Sequence, residues 1–174
     1  IDIFPIFISN NMNYVEYVLN NENIDGVLFT GGNSLLKYGG NSPERDCVEK
    51  FILEWAIEMN IPVLGVCRGM QLIQDFFGIP LKKIDNHVSV CHTLNVEKGL
   101  RLSADIELIP NANSYHNFGA DKSNGKLRTV AYSLDGIVMA IEHKNKNIFG
   151  IMWHCERNYP FRESDRNLVR RVFC

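Results

Sequence analysis

The stretch "IPVLGVCRGMQLI", residues 61–73, decides the fold, because it sets one cysteine between two glycines where the apolar pattern changes. The apolar run before the cysteine is typical of a buried strand, and apolar residues then return at helical spacing. Cys67, flanked by Gly65 and Gly69, fits the nucleophile-elbow pattern G-x-nucleophile-x-G. A thiolate is stabilised at a helix N-terminus by the backbone dipoles. The segment therefore predicts a cysteine nucleophile, and the alternative is a buried, inert cysteine.

Short apolar runs alternate with helical patterns in the first half of the chain, and turn-separated strands dominate the second half. The first pattern indicates a parallel sheet with crossover helices, and the second indicates hairpins. Strands are predicted at residues 2–9, 25–30, 61–66, 87–97, 106–110, 128–133, 136–143 and 147–153, and helices at 13–21, 45–60, 68–77 and 163–173. We predict an α/β fold, a three-layer α/β/α sandwich with a central, mostly parallel sheet and a small antiparallel sheet. With no linker or repeat, residues 1–174 are expected to form a single domain.

Composition and charge argue against several classes of function. The chain has 174 residues and a formal net charge of −2, which speaks against a nucleic-acid surface built on bulk charge. Five cysteines show no regular framework, so a reduced, cytoplasmic compartment is expected. No signal-like segment opens the chain and no apolar stretch reaches the length of a membrane span, so we expect no membrane partner.

The candidate base for the Cys67 thiol is His154. A cysteine nucleophile needs a base, and the base needs a group that orients it. His154 directly follows an apolar strand, so it can lie at the same sheet edge as the elbow. Glu156 is two residues further on, and residues two apart in an extended segment point to the same side. The spacing therefore predicts a triad, against the alternative of a polar pair at a strand end.

Two backbone amides are candidate donors to the oxyanion that forms during acyl transfer. The amide of Arg68 follows the nucleophile directly, which is the geometry of an elbow. Gly31 and Gly32 follow a predicted strand and allow a second amide to approach closely. The alternative for these glycines is a plain turn between strand and loop.

The stretch "HVSVCH", residues 87–92, suggests a zinc site, which we do not favour. In a regular strand His87 and Cys91 share one face, and His92 points to the other. Structural zinc usually takes four ligands, often in paired short spacings. A structural or substrate-side role is therefore preferred, and no metal is predicted. For His116 a pocket-lining role and a plain loop role stay open.

These pieces together resemble the class I glutamine amidotransferases, and within them the γ-glutamyl hydrolases (peptidase C26-like) that act on γ-glutamyl-γ-aminobutyrate and related amides. The matching stretches are "FTGGNSL" (29–35), "ERDCVEKFILEWAIEMNIPVLGVCRGMQLI" (44–73), "NSYHNFG" (113–119) and "GIMWHCE" (150–156). The resemblance runs from Asp25 onward and implies a flavodoxin-like sheet. "CRGMQ" is similar to the stand-alone hydrolases, and the compact, Asn-rich chain resembles the γ-glutamyl-CDP-amidate hydrolases of bacterial capsule phosphoramidate biosynthesis.

The resemblance implies a role for each matching residue. Cys67 would be the nucleophile, His154 the base and Glu156 its partner. The remaining implied roles are oxyanion donation by the amides of Gly32 and Arg68, and substrate binding by Gly31, Gln71, Tyr115, His116, Asn117 and Phe118. No metal or organic cofactor is implied.

Two departures from the family pattern matter for these expectations. Cys155 stands where the family has a proline, and losing proline can loosen the segment between His154 and Glu156. The family also begins with a strand and a helix ahead of the segment that opens here. We therefore expect that pair, and part of the wall of the site, to lie outside this sequence.

The expected function is cleavage of a γ-glutamyl amide through a γ-glutamyl thioester, with γ-glutamyl-CDP-amidate as the leading substrate. Its products would be glutamate and cytidine diphosphoramidate. Two enzymatic alternatives are a γ-glutamyl-γ-aminobutyrate or polyamine hydrolase and a glutaminase subunit that supplies ammonia to a synthetase. A third alternative is a non-enzymatic relative that binds a ligand or a protein. The presence of Cys67, His154 and Glu156 argues against this third alternative. The partner is a small molecule. A homodimer is allowed, and the oligomeric state is left open.

Overall fold

The computed structural model describes residues 3–174, so the predicted strand at 2–9 and the predicted domain at 1–174 both begin outside the described residues. The α-helices are α1 (Met12–Asn21), α2 (Pro43–Glu58), α3 (Arg68–Phe76), α4 (Ser103–Glu107) and α5 (Glu163–Phe173), and 3₁₀ turns lie at Leu36–Tyr38 and Cys155–Arg157. The strands are β1 (Val27–Phe29), β2 (Val63–Val66), β3 (Lys82–Lys83), β4 (Val88–His92), β5 (Leu94–Val96), β6 (Ala112–Tyr115), β7 (Phe118–Gly119), β8 (Leu127–Ser133), β9 (Val138–His143) and β10 (Ile148–Ile151).

The main sheet has six strands in the order β1-β2-β10-β9-β8-β5. β2 pairs in parallel with β1 and β10, whereas β9, β8 and β5 join by antiparallel pairing. The sheet is therefore mixed, with a smaller parallel part than predicted, because short turns join β8 to β9 and β9 to β10, and a short turn can join only antiparallel strands. Two small antiparallel sheets, β3·β7 and β4·β6, stand beside it, where one was predicted.

Helices cover both faces of the main sheet. On one face Gly150 of β10 lies so close to α3 that a Cβ atom there would be 2.8 Å from Met70. α2 packs on α3 on that side. On the other face a Cβ atom at Gly26, which precedes β1, would be 2.5 Å from the ring of Phe173 in α5. This arrangement gives the three predicted layers, and it presents the ends of β2 and β10 together at one edge.

Residues 3–9 do not form the predicted strand. They carry no regular structure, and Phe4 is 94% and Phe7 85% exposed. Their apolar run favours a strand only where a sheet edge accepts it. Pro5 also removes one of the amide donors that pairing needs.

The predicted strand at 106–110 is instead part of helix α4 and the turn after it. Short apolar runs do not separate strand from helix, and here Leu102 and Ile106 are spaced by one helical turn and are both fully buried. The predicted strand at 87–97 also divides at Thr93 into β4 and β5, which belong to different sheets.

One buried apolar cluster runs through the sheet and its covering helices, from Val15 in α1 to Val172 in α5. That cluster agrees with the single domain, which stays a prediction for the full span. Within residues 3–174, no helix combines the length and the apolar character that crossing a membrane would require.

Candidate active site

Cys67 occupies the sharp turn between β2 and α3, with φ 51° and ψ −102°, a strained backbone for a residue with a side chain. Its amide donates to the carbonyl of Ile151 in β10 at 2.8 Å, which fixes the turn to the neighbouring strand. The flanking glycines permit the turn, since a Cβ atom at Gly65 would be 2.5 Å from the backbone of Gly69. A Cβ atom at Gly69 would be 2.2 Å from the carbonyl oxygen of Phe29. The thiol is thus held at the predicted elbow.

His154 follows β10 and meets Glu156 through Nδ1, at 2.5 Å from Oε1. His154 comes three residues after Ile151, whose carbonyl accepts from the Cys67 amide, so the ring and the thiol lie at the same edge of the sheet. Asn113 fixes the backbone at this point, because its side chain accepts from the amide of His154 and donates to its carbonyl, both at 2.8 Å. Sequence reasoning missed Asn113, which only the pairing of distant segments brings here. The structure thus brings the three predicted triad residues together.

Protonation of the His154–Glu156 pair favours a reactive thiol. Hydrogen bonds with Cys67 and then with Glu156 raise the pKa of His154 to about 9, against the opposing effect of burial. Burial pushes the pKa of Glu156 upward, but the hydrogen bonds from His154 and the backbone, together with the charges of His154 and Arg157, outweigh it, and the pKa falls below its ordinary value. At neutral pH an imidazolium therefore stands between a carboxylate and the sulfur. A cation beside a thiol favours the thiolate, which is the nucleophile.

The two predicted oxyanion donors border this pair of side chains. Arg68 is the first residue of α3, so its amide has no partner within the helix. Gly31 packs directly on the imidazole, and a Cβ atom there would be 2.6 Å from Cε1 of His154. Gly32 follows with φ 153°, in the region that favours glycine. Their service as oxyanion donors stays a prediction.

The side chain of Arg68 turns away from the thiol into a buried ion-pair network that sequence reasoning missed. Arg68 is 1% exposed, and its guanidinium binds the carboxylates of Asp46 and Glu49 in α2. Glu49 Oε1 also accepts from Nε of Arg45 at 2.7 Å. The available signal was the spacing in "RDCVE", residues 45–49, which places charged side chains on the buried face of a helix.

The predicted substrate-binding residues form a loop beside His154. The ring of Tyr115 meets the ring of His154 edge-on at 5.8 Å between centroids. Gln71 Nε2 and His116 Nδ1 both contact the carbonyl oxygen of Phe118 at 2.9 Å. A carbonyl oxygen has two lone pairs, so that of Phe118 is fully used within the protein. Gln71 and His116 therefore hold the loop, and substrate binding by these residues stays a prediction.

The carbonyl of Asn117, the remaining predicted loop residue, accepts from the amide of Ile84 at 3.0 Å, which anchors the loop on a second side. The amide of His116 donates to the carbonyl of His87 at 3.0 Å. The loop is thus fixed by backbone contacts at the two residues that follow Tyr115.

A histidine cluster lies behind this loop, and its geometry corrects a prediction. His87 and His92 are predicted on opposite faces of a strand, but their rings stack at 4.1 Å between centroids. A bulge at Ser89, with φ 57°, interrupts the alternation and turns both rings to the same side. Next to the stack are His116, at 4.9 Å from the ring of His87, and Asp135, whose Oδ2 is 2.9 Å from Nε2 of His87.

Three ligand atoms of this cluster, from His87, His92 and Asp135, lie within 4.8 Å of one another. The two imidazole planes differ by 23° and their centroids are 4.1 Å apart, so the nitrogen lone pairs lie in two separate, nearly parallel planes, which is a poor geometry for binding one shared ion. A shared cation would therefore require the His92 ring to turn. The arrangement is that of a hydrogen-bonded imidazole stack against a carboxylate.

Comparisons with known proteins agree with this architecture. A model of the peptidase C26 family matches residues 3–156. The gamma-glutamyl-CDP-amidate hydrolase of Campylobacter jejuni subsp. jejuni serotype O:2 is 35% identical over 159 residues, covering 90% of this chain and 74% of that protein. The gamma-glutamyl-gamma-aminobutyrate hydrolase of Escherichia coli O157:H7 is 29% identical over 165 residues, covering 78% of this chain and 65% of that protein.

Solved structures show the same fold. A Thermoplasma acidophilum protein assigned to GMP synthase matches with a TM-score of 0.72 at 19% identity, covering 95% of this chain and 77% of that one. A glutamine amidotransferase of Thermotoga maritima matches with a TM-score of 0.60 at 16% identity, covering 82% of this chain and 62% of that one. The predicted α/β class is therefore confirmed. The chain belongs to the peptidase C26 family and is a hydrolase of C–N bonds, as its sequence predicted.

Proposed function

We propose that this chain hydrolyses a γ-glutamyl amide through a γ-glutamyl thioester on Cys67. The observation that carries the proposal is the His154–Glu156 pair, at 2.5 Å between Nδ1 and Oε1, which follows the strand whose Ile151 carbonyl accepts from the Cys67 amide. An acyl-transfer enzyme of the cysteine class needs this order of nucleophile, base and orienting acid. Glu156 keeps the imidazole oriented and protonated, so His154 can donate a proton to the leaving nitrogen.

The reaction proceeds in two halves. The thiolate attacks the γ-carbonyl carbon, and the amides of Gly32 and Arg68 stabilise the oxyanion. His154 donates its proton to the departing nitrogen as the C–N bond breaks and the thioester remains. The neutral ring then takes a proton from water, whose hydroxide attacks the thioester. Glutamate leaves, and the thiolate and imidazolium return, so the sum is one amide and one water giving one acid and one amine.

We propose γ-glutamyl-CDP-amidate as the substrate, with glutamate and cytidine diphosphoramidate as products. The support is the 35% identity with a protein named as the hydrolase of that compound, which extends over 90% of this chain. A second candidate is hydrolysis of γ-glutamyl-γ-aminobutyrate, supported by the relative of that name at 29% identity. In both cases the partner is a small γ-glutamyl compound.

A glutaminase that supplies ammonia to a synthetase is the alternative favoured by the similarity to a GMP synthase of Finegoldia magna, 31% identical over 141 residues. The chain matches 25% of that protein's length. A partner-dependent glutaminase is nearly silent alone, whereas a stand-alone hydrolase is active. Activity of the isolated chain therefore separates the two.

The test is glutamate release from a panel of glutamine, γ-glutamyl-γ-aminobutyrate, a γ-glutamyl polyamine and γ-glutamyl-CDP-amidate. We expect the last to give the highest kcat/KM and Cys67→Ala to abolish turnover. Cys155→Ala is the matched control, because burial raises the pKa of the Cys155 thiol to about 12 and keeps it protonated. Near-normal turnover by Cys67→Ala would overturn the proposal, and preference for another panel member would overturn only the substrate.

A further inference from the structure

We propose that Arg45 is a positioning residue that sets the orientation of the Gly31–Gly32 peptide, and hence of the Gly32 amide that donates to the oxyanion. The inference rests on the proposed function and names a residue for the same site. Arg45 lies in the first turns of α2 and has no contact with Cys67 among the described interactions. Its effect on the reaction would therefore be transmitted through the loop that follows β1.

The guanidinium of Arg45 holds this loop by its backbone. Nη2 of Arg45 donates to the carbonyl of Thr30 at 3.0 Å and to the carbonyl of Gly31 at 3.2 Å, and contacts the Thr30 hydroxyl at 3.2 Å. Nε of the same side chain is fixed by Glu49 at 2.7 Å. Because the guanidinium is a rigid planar fork, fixing one nitrogen on Glu49 determines where the other points.

A peptide unit transmits this contact to the oxyanion donor. The carbonyl of Gly31 and the amide N–H of Gly32 belong to the same planar, trans unit, so they point in opposite directions. Holding the carbonyl against Arg45 therefore turns the N–H of Gly32 away from Arg45. Gly31 itself packs on the His154 ring, which places this peptide beside the reacting groups. Glycines tolerate either orientation of such a peptide, so an external contact must select one.

Glu49 links this loop to the other oxyanion donor. Its second oxygen binds the guanidinium of Arg68, which follows Cys67 and is buried. Asp46 also binds Arg68, and its other oxygen accepts from the amide of Leu36 at 2.8 Å, beyond the glycine loop. One helical turn of α2 therefore holds both segments that carry the predicted donors. Charges buried in this way need their partners, so the set is held in one arrangement.

The main variant is Arg45→Lys, which keeps a cation beside Glu49 but lacks the fork, and Arg45→Met is the second. Losing one oxyanion donor costs about 10²–10³ in kcat. We expect kcat for the preferred panel substrate to fall by about 10² in Arg45→Lys, with KM changed by less than about threefold. Arg171→Met is the matched control, because Arg171 is an exposed arginine paired with Asp105. It should keep normal kcat.

Alkylation of Cys67 by iodoacetamide separates positioning from folding, because alkylation needs the thiolate but forms no oxyanion. The alkylation rate should stay normal in both Arg45 variants while kcat falls. Normal kcat in both variants would overturn the proposal and leave the proposed function standing. Equal losses of alkylation and kcat would also overturn it, since Arg45 would then support the elbow or the fold. Retained turnover in Cys67→Ala would instead remove the proposed function itself.

Discussion

Two polar clusters hold the segments around Cys67 and His154, and they are built differently. The ionic cluster, under the elbow and the glycine loop, consists of Arg45, Asp46, Glu49 and Arg68. The histidine cluster, behind the substrate loop, consists of His87, His92, His116 and Asp135. The side chains of the ionic cluster are held together by ion pairs. In the histidine cluster, burial lowers the pKa of His116 to about 4 and also lowers that of His92, so these two rings are neutral at neutral pH.

The two clusters should therefore respond differently to pH. Paired charges keep their geometry across the ordinary range of pH, so the oxyanion side is held in one arrangement. Neutral imidazoles keep theirs only while they stay unprotonated, so the substrate side responds to acid. The following predictions test this contrast, beginning with the largest expected effect.

Glu49→Ala should be the most damaging substitution in the ionic cluster. Glu49 is shared by Arg45 and Arg68, and its loss leaves the buried Arg68 with Asp46 alone. Breaking a buried ion pair by removing one partner costs about 3–5 kcal/mol, so we expect the free energy of unfolding to fall by about 3 kcal/mol. Urea unfolding followed by circular dichroism measures this change.

The control is Glu163→Ala, whose carboxylate pairs with Arg166 and Arg170 but is 62% exposed. Exposed pairs contribute about 0–1 kcal/mol, so its unfolding curve should hardly move. If the two variants lost equal stability, the ionic cluster would be no different from a surface pair.

The contrast also shows which parts of the molecule a sequence can predict. The elbow is local, since Gly65, Cys67 and Gly69 specify it within a few residues. The pairing of His154 with Glu156 is local as well, although those residues enter a 3₁₀ turn and not an extended segment. For this reason the predicted elbow and the helices on either side of its strand form where they were expected, while the catalytic roles of the triad residues stay a prediction.

The parts that escaped prediction depend on partners distant in sequence. Arg45 joins a loop 14 residues earlier, and Asn113 holds His154 across 41 residues. A regular alternation also assumes an unbroken strand, and one bulge at Ser89 reversed the relation of His87 to His92. The apolar run at residues 3–9 shows the same limit of prediction from sequence, because such a run forms a strand only where a free sheet edge accepts it.

Stability should depend on pH in opposite directions for His116 and His154. The pKa of His116 is lowered from 6.5 to about 4. At a pH between these two values the folded state therefore binds fewer protons than the unfolded state. Its contribution is complete above pH 6.5 and is lost as pH falls toward 4. The pKa of His154 is raised from 6.5 to about 9, so its contribution is complete below pH 6.5 and is lost as pH rises through 9.

The expected profile is therefore a maximum near pH 6.5 with an acid and an alkaline limb. His116→Asn keeps a donor for the Phe118 carbonyl but does not titrate, so it should flatten the acid limb, to which His92 also contributes. His154→Asn should flatten the alkaline limb alone. Unfolding free energies between pH 4 and 9 measure both. An unchanged acid limb in His116→Asn would show that His116 does not carry the acid response.

Cys155→Pro should have the smallest effect. It tests the short segment 154–156, which carries both His154 and Glu156. Cys155 opens a 3₁₀ turn, where proline fits well, and the preceding His154, with φ −98° and ψ 91°, lies outside the α region that a following proline disfavours. Proline at a compatible position stabilises a protein by about 0.4–1 kcal/mol by restricting the unfolded chain. We therefore expect a gain of about 0.5 kcal/mol in urea unfolding, with kcat unchanged.

Arg157→Pro is the opposing control, because the amide of Arg157 donates to the carbonyl of His154 at 3.2 Å and proline cannot donate. It should lower both stability and kcat, since that contact fixes Glu156 beside the imidazole. A loss of stability in Cys155→Pro would mean that the cysteine itself holds the turn. A gain without any change in kcat would mean that His154 and Glu156 are already fixed by Asn113 and by their own hydrogen bond, so the turn needs no proline to keep the pair aligned.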